Sequence, residues 1–189
     1  MKYKIIDNFL DDSNYDQLVN NIMPPGYTPR TEGVHWEFLN GSVVGVDEPE
    51  AHKKITDIKK LEPINDLFLS HTFFFGGMPK SPSLDILNAL LNKIDPVAIW
   101  RIQANLSIQQ KEKRRTLFHI DTNQKLKQGI MNTSIFYVNT TNGPTILEDG
   151  TEIECRANRL VTYPYDTFHA AVLCTDQPYR VVINFNYFI

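Results

Sequence analysis

At Val97 the spacing of apolar residues changes from one in every three or four to one in every two, and this change of period constrains the fold more than any other feature of the chain. Downstream, apolar or aromatic runs cover 97–107, 115–121, 130–138, 144–147, 151–155, 159–163, 168–174 and 179–189. Turn signals separate them, among them Thr141-Asn142-Gly143-Pro144, Glu148-Asp149-Gly150 and Thr175-Asp176-Gln177-Pro178. About eight short strands with a turn every 8 to 12 residues predict a mainly β antiparallel barrel or jelly roll, and exclude a doubly wound parallel sheet.

Upstream of Val97 the pattern is helical or irregular. Tyr15, Leu18, Val19 and Ile22 share one helical face and Pro24-Pro25 ends the pattern, which predicts a helix over 13–23. Residues 24–80 mix Pro, Gly and Asn with Tyr27, Trp36, Phe38, Phe68 and Phe73 to Phe75, as loops and short strands laid over a core would. Ser81-Pro82-Ser83 opens a second helix carrying Leu84, Leu87, Leu91 and Ile94, which ends before Asp95-Pro96. The expectation is a single domain over 1–189, with a helical and loop-rich cover over 1–96 and a jelly-roll core over 97–189. Nothing in the sequence marks a repeat or a linker.

The core segment carries the residues with chemistry. In a strand, positions i and i+2 point to the same side, so His119 and Asp121 can converge on one ion. Alone this is weak, because five His and 22 Asp plus Glu in 189 residues give a chance expectation of roughly 0.6 for a His-x-acid triplet. His35-Trp36-Glu37 is a second instance. His169 supplies a third ligand at the head of the run that turns at 175–178. Two imidazoles and one carboxylate on one side of a metal, with the other positions open, is the ligand set of non-haem Fe(II) oxygenases.

Arg180 follows eleven residues later. If the hairpin turns about Asp176-Gln177, Arg180 lies opposite Leu173, roughly 13 Å along the sheet from His169. A five-carbon dicarboxylate held at the metal by one end can present its far carboxylate to that planar fork of donors. Tyr137 shares a strand face with Ile135, and its phenol can help hold the same carboxylate. Asn105, two residues beyond Gln103, has two readings: a pocket-lining group and a structural hydrogen bond.

The set His119-x-Asp121, His169, and Arg180 followed by Val181-Val182-Ile183-Asn184-Phe185 resembles the Fe(II)/2-oxoglutarate-dependent oxygenase superfamily on its double-stranded β-helix. Ser134-Ile135-Phe136-Tyr137-Val138-Asn139 ahead of Asn142-Gly143-Pro144-Thr145, with Asn184-Phe185-Asn186-Tyr187-Phe188 at the end, is similar to prolyl 4-hydroxylase-like members, including small phage-encoded ones. The resemblance covers residues 97 to 189; the amino-terminal half matches through Ile5-Ile6-Asp7-Asn8-Phe9-Leu10 and Trp36. Gly143-Pro144 departs from the Gly-Gly often found after the tyrosine strand. The resemblance implies that His119, Asp121 and His169 hold Fe(II) and that Arg180, with help from Tyr137, holds 2-oxoglutarate. It further implies that O2 is the oxidant, that succinate and CO2 are co-products, and that an aliphatic C–H, peptidyl proline first, is hydroxylated. The competing expectation is a jelly-roll binding module of cupin type, with structural metal or none.

Composition narrows the partners. Apolar residues are 42% and charged residues 22%, as in an ordinary folded globule. A net charge of −3 gives no positive field to gather nucleic acid or anionic membrane. The expected partner is therefore a peptide or small molecule. Lys111, Lys113, Arg114 and Arg115 before the His119 run, with Lys125 and Lys127 after it, read as solvated loops, although an acidic substrate could meet them there. Asn158-Arg159 reads as turn and edge chemistry, and Trp36 with Phe73 to Phe75 as packing rather than a lid. Two cysteines, no secretion-like beginning and no apolar run near 20 residues point to a reducing cytoplasm.

Overall fold

The computed structural model describes residues 3–23, 34–40, 61, 67–122 and 129–189. Tyr27, Lys125 and Lys127 lie outside them. The elements in chain order are β1 (Lys4–Ile6), α1 (Asp12–Ile22), β2 (Glu37–Asn40), β3 (Leu67–Phe75), β4 (Met78–Pro79), a 3₁₀ turn (Leu84–Leu87), α2 (Asn88–Ile94), β5 (Ala98–Ile108), β6 (Met131–Tyr137), β7 (Thr145–Leu147), β8 (Glu152–Ile153), β9 (Arg159–Pro164), β10 (His169–Ala171) and β11 (Tyr179–Phe188). They form two antiparallel sheets: a major one in the order β1-β9-β6-β11-β5-β3-β2, with β4 beside β3, and a minor one in the order β10-β7-β8.

Strict alternation along β11 gives the sheet one apolar face and one that carries polar groups. Val181, Ile183, Phe185 and Tyr187 join Phe136 of β6, Val138 just beyond it, and Ile102 and Ala104 of β5 in the main core. The helices seal that face through Leu18 and Ile22 of α1 and Leu90 of α2. Asp11 caps α1 by accepting from Asn14 N at 3.0 Å, so the helix starts one residue before its expected position. On the opposite face β11 presents Arg180, Val182 and Asn184 to the space between the two sheets.

Three sequence expectations change. The first ninety-six residues are more than a cover, because the nine-residue β3 pairs with β5 and extends the major sheet. Phe73 and Phe74 of β3 pack with Trp36 against the core, whereas Phe75 is 48% exposed and leans on Trp100. Second, Arg180 is not opposite Leu173: β10 belongs to the minor sheet and β11 to the major one, so the turn at 175–178 carries the chain between sheets and Arg180 pairs in register with Ser107. Third, Arg115 is 1% exposed, stacked over the Phe118 ring, and is not part of a solvated loop.

The 115–121 run meets the 169–172 segment at two bridges, Arg115 to Val172 and His119 to His169, with Thr116 hydrogen-bonded to Ala171 between them. Three residues separate the bridges on one side and two on the other, which makes a bulge. The extra residue resets the alternation. Thr116 and His119, an odd number of positions apart, both reach the cavity, while Phe118 is fully buried in a separate cluster with Ile146, Ala170 and Val172.

Candidate metal centre

The bulge places His119 against His169, with ring centroids 4.6 Å apart. Asp121 follows at a bend beside them, and one ligand atom from each of the three residues lies within 4.8 Å of the others. Asp121 Oδ1 is 3.9 Å from His119 Nε2 and 4.0 Å from His169 Nε2. All three side chains are buried.

The hydrogen bonds behind the rings fix their protonation. His119 Nδ1 lies 2.9 Å from the Leu117 carbonyl and His169 Nδ1 lies 3.2 Å from the Thr167 carbonyl. A carbonyl only accepts, so each Nδ1 carries the hydrogen and each Nε2 keeps its lone pair toward Asp121. Burial holds both imidazoles neutral: it depresses the His119 pKa to about 4, assisted by His169, and lowers that of His169. Burial alone would raise the Asp121 carboxyl, but Arg101, His169, His119 and the Asn186 amide together bring it down to about 2.

Asp121 carries one of the buried atoms that lack a hydrogen-bond partner. Asp121 Oδ2 accepts from Asn186 Nδ2 at 3.0 Å, whereas Oδ1 makes no hydrogen bond. The Arg101 guanidinium stands 3.5 Å from Oδ1 without a hydrogen bond to it, so an ionised oxygen facing two imidazole lone pairs keeps its own lone pairs open to a metal cation. The donor set therefore fits a divalent transition metal with nitrogen and oxygen preference.

The cavity that His119 and His169 line extends along the inner face of β11 past Asn184 and Val182 to Arg180. Arg180 is 4% exposed; its Nε donates to the Gly143 carbonyl at 2.9 Å and its Nη2 to Thr145 Oγ1 at 3.0 Å. Among the described residues Arg180 has no ion-pair partner, and Asp176 accepts from Asn142 N instead. Its positive charge is thus buried without a counter-charge, at the cavity end remote from the triad.

Tyr137 does not line the cavity. Its hydroxyl donates to Thr145 Oγ1 at 2.8 Å, its ring lies under the Arg180 guanidinium at 5.6 Å, and burial pushes its pKa up to about 12. Asn105 does both things expected of it: it lines the cavity and accepts from Gln103 Nε2 at 2.9 Å. Arg159 points elsewhere, clamped on Asp7 of the amino-terminal segment at 2.5 and 3.0 Å. Sequence reasoning missed Thr145, Arg101 and Asn186. The signal for Asn186 was present, since it shares the parity of Arg180 in an otherwise apolar alternation.

Comparisons with family models and with curated proteins give no match. Solved structures do match. A prolyl hydroxylase from Trichoplax adhaerens, solved with a hypoxia inducible factor oxygen degradation domain peptide fragment, aligns at TM-score 0.61 and 16% identity, over 98% of this chain and 83% of that one. The non-heme alpha ketoglutarate dependent epimerase SnoN from nogalamycin biosynthesis aligns at TM-score 0.59 and 11% identity, over 98% and 76%. The viral collagen prolyl hydroxylase of Paramecium Bursaria Chlorella virus-1, in its 2OG complex, aligns at TM-score 0.50 and 17% identity, over 100% and 96%. This chain therefore has the jelly-roll fold of the 2-oxoglutarate- and Fe(II)-dependent oxygenases, a fold that carries more than one chemistry.

Proposed function

We propose that the chain is an Fe(II)- and 2-oxoglutarate-dependent dioxygenase that hydroxylates an aliphatic C–H bond, with peptidyl proline as the first candidate substrate. One observation carries the reading: a single cavity has the two imidazoles of a metal-ligand triad on one wall and an unpaired buried arginine on another. His119 and His169 would each give Nε2 to the metal, and Asp121 would give Oδ1. Iron bound there would supply the redox chemistry that couples conversion of 2-oxoglutarate and O2 to succinate and CO2 with hydroxylation of the substrate.

The chain's own contribution is position and exclusion of water. Arg180 is fixed through Nε and Nη2, and its guanidinium would pair with the far carboxylate of the keto acid. Ile135, Val182 and Leu173 wall the space between with apolar surface, which strengthens that pairing by keeping solvent out. Asn105 offers an amide to the same space. The peptide in the Trichoplax complex supports a peptide substrate here. The two free cysteines, Cys155 and Cys174, are buried and fit a reducing compartment.

The test is anaerobic addition of Fe(II) and 2-oxoglutarate, which should give the weak metal-to-ligand absorption band, followed by air, which should give succinate. Arg180→Met should weaken 2-oxoglutarate at least tenfold, because a desolvated carboxylate loses its charged partner. Iron-loaded protein that gives neither band nor succinate overturns the assignment. Proline-containing peptides that gain no oxygen, while succinate still forms, overturn only the substrate.

A further inference from the structure

Asp121 is held in place by three strands of the major sheet. Arg101 of β5 and Asn186 of β11 are direct register partners, and Thr133 of β6 is the partner of Asn186 on its other side. Asn186 Nδ2 donates one hydrogen to Asp121 Oδ2 and the other to Thr133 Oγ1, both at 3.0 Å. The carboxylate, which only accepts, sets the rotation of the amide, since a half turn would bring the amide oxygen against it, and Thr133 steadies that rotation by accepting the second hydrogen. Arg101 Nη1 donates to the main-chain carbonyl of Asp121 at 3.1 Å, and Nη2 stands 3.5 Å from Oδ1 without making a hydrogen bond to it. Arg101 is 8% exposed, and Thr133 and Asn186 are fully buried.

We propose that Arg101 and Asn186 are positioning residues that make Asp121 a one-oxygen ligand, by engaging its second oxygen and its main chain so that Oδ1 alone is offered to the metal. The inference rests on reading the triad as a metal centre but not on the oxygenase reaction. A carboxylate free to turn about its last torsion can offer either oxygen or both. Two-oxygen ligation would use up a further position on the metal, and the amide of Asn186 opposes it by holding Oδ2 turned toward itself. Arg101 meanwhile stops the bend at Asp121 from drifting away from the histidines.

Co(II) titration of the metal-free protein, without 2-oxoglutarate, tests this by calorimetry and ligand-field absorption. Asn186→Leu removes the amide at similar volume. Arg101→Lys keeps the positive charge, so any cation repulsion is unchanged and only the fork is lost. Each should weaken Co(II) about 10- to 100-fold and alter the shape of its absorption band. Thr133→Val, which leaves both Asp121 partners in place and frees only the amide's rotation, gives a milder shift in the same direction and serves if the other two fail to fold. Folded variants with wild-type affinity and an unaltered band overturn the positioning role while leaving the metal centre standing. Wild-type protein that binds no Co(II) overturns both.

Discussion

Arg180 Nη2 donates to Thr145 Oγ1 at 3.0 Å, and the same oxygen accepts from the Tyr137 hydroxyl at 2.8 Å. A hydroxyl oxygen has two lone pairs, so both are engaged and the hydrogen of Thr145 is left as a donor on a cavity-lining residue. Tyr137 thus acts on the cavity through Thr145. Thr145→Val should weaken 2-oxoglutarate about tenfold or more, since it deletes that donor and strands two buried ones, and Thr145→Ser should recover most of the loss. Tyr137→Phe should change affinity by less than about threefold while costing about 1 kcal/mol of stability. Calorimetric titration of the three variants checks the ranking, and equal losses for Tyr137→Phe and Thr145→Val would refute the relay.

Gly143 owes its identity to a close approach. A Cβ there would sit 2.4 Å from the Val172 carbonyl oxygen and 3.1 Å from Cys174 N, both main-chain atoms that cannot swing aside. The carbonyl of Gly143 is also the acceptor for Arg180 Nε. Gly143→Ala should therefore lower stability by about 1–3 kcal/mol, or about 3–10 °C in Tm at this size, and raise the 2-oxoglutarate Kd as well. A variant with unchanged Tm and Kd would show that the 143 and 172–174 segments separate freely.

How much of this was legible follows from what each feature depends on. The meeting of His119, Asp121 and His169 in one place was readable because such a residue set is rare and its order along the chain is informative; the jelly roll was readable because period-2 patterning is local. The bulge at 115–119 was not, because it is defined by the partner strand, where two residues face three. The sheet switch after His169 was missed for a related reason: a turn sequence states that the chain reverses, not which sheet it enters. Arg101 was overlooked because a charged residue in an apolar run reads as an edge, whereas its partner Asp121 lies 20 residues away. Strand β3 was masked by its own aromatic content, which fits a cover as well as a sheet.

Just beyond β1, Asn158 ties the segment at Phe9 and Leu10 to the core by hydrogen bonds outside the ladder. Its side chain accepts from Leu10 N at 2.8 Å and donates to Leu10 O at 2.8 Å, while its own carbonyl accepts from Phe9 N at 2.8 Å. It does so from a left-handed backbone, φ 58°, that asparagine tolerates better than most residues. Asn158→Ala should cost about 2–4 kcal/mol, losing two buried hydrogen bonds and adding backbone strain. Asn158→Gly should recover about 1 kcal/mol of that, because only the strain is relieved. Thermal unfolding of the pair separates the two contributions, and a glycine variant as unstable as the alanine one would exclude strain.

Metal-free protein should lose stability as the pH falls through the histidine range. His119 titrates at about 4 when folded against 6.5 for a free histidine, because burial and the neighbouring His169 disfavour its charged form. Between those values the unfolded chain binds the extra proton and the folded one does not, so stability is complete above about pH 6.5 and declines toward pH 4, by about 3 kcal/mol from this group. Asp121, at about 2 against 3.8, adds a second loss below pH 4. The same depression affects metal binding, since no proton need be displaced from either Nε2 near neutrality. Co(II) affinity should therefore begin to fall at a lower pH than it would with imidazoles titrating normally, which would weaken it progressively below about 6.5. Denaturant titrations and Co(II) isotherms across the histidine range test both statements, and an affinity that begins to fall at pH 6.5 would mean that the imidazoles of the metal-free protein are open to water.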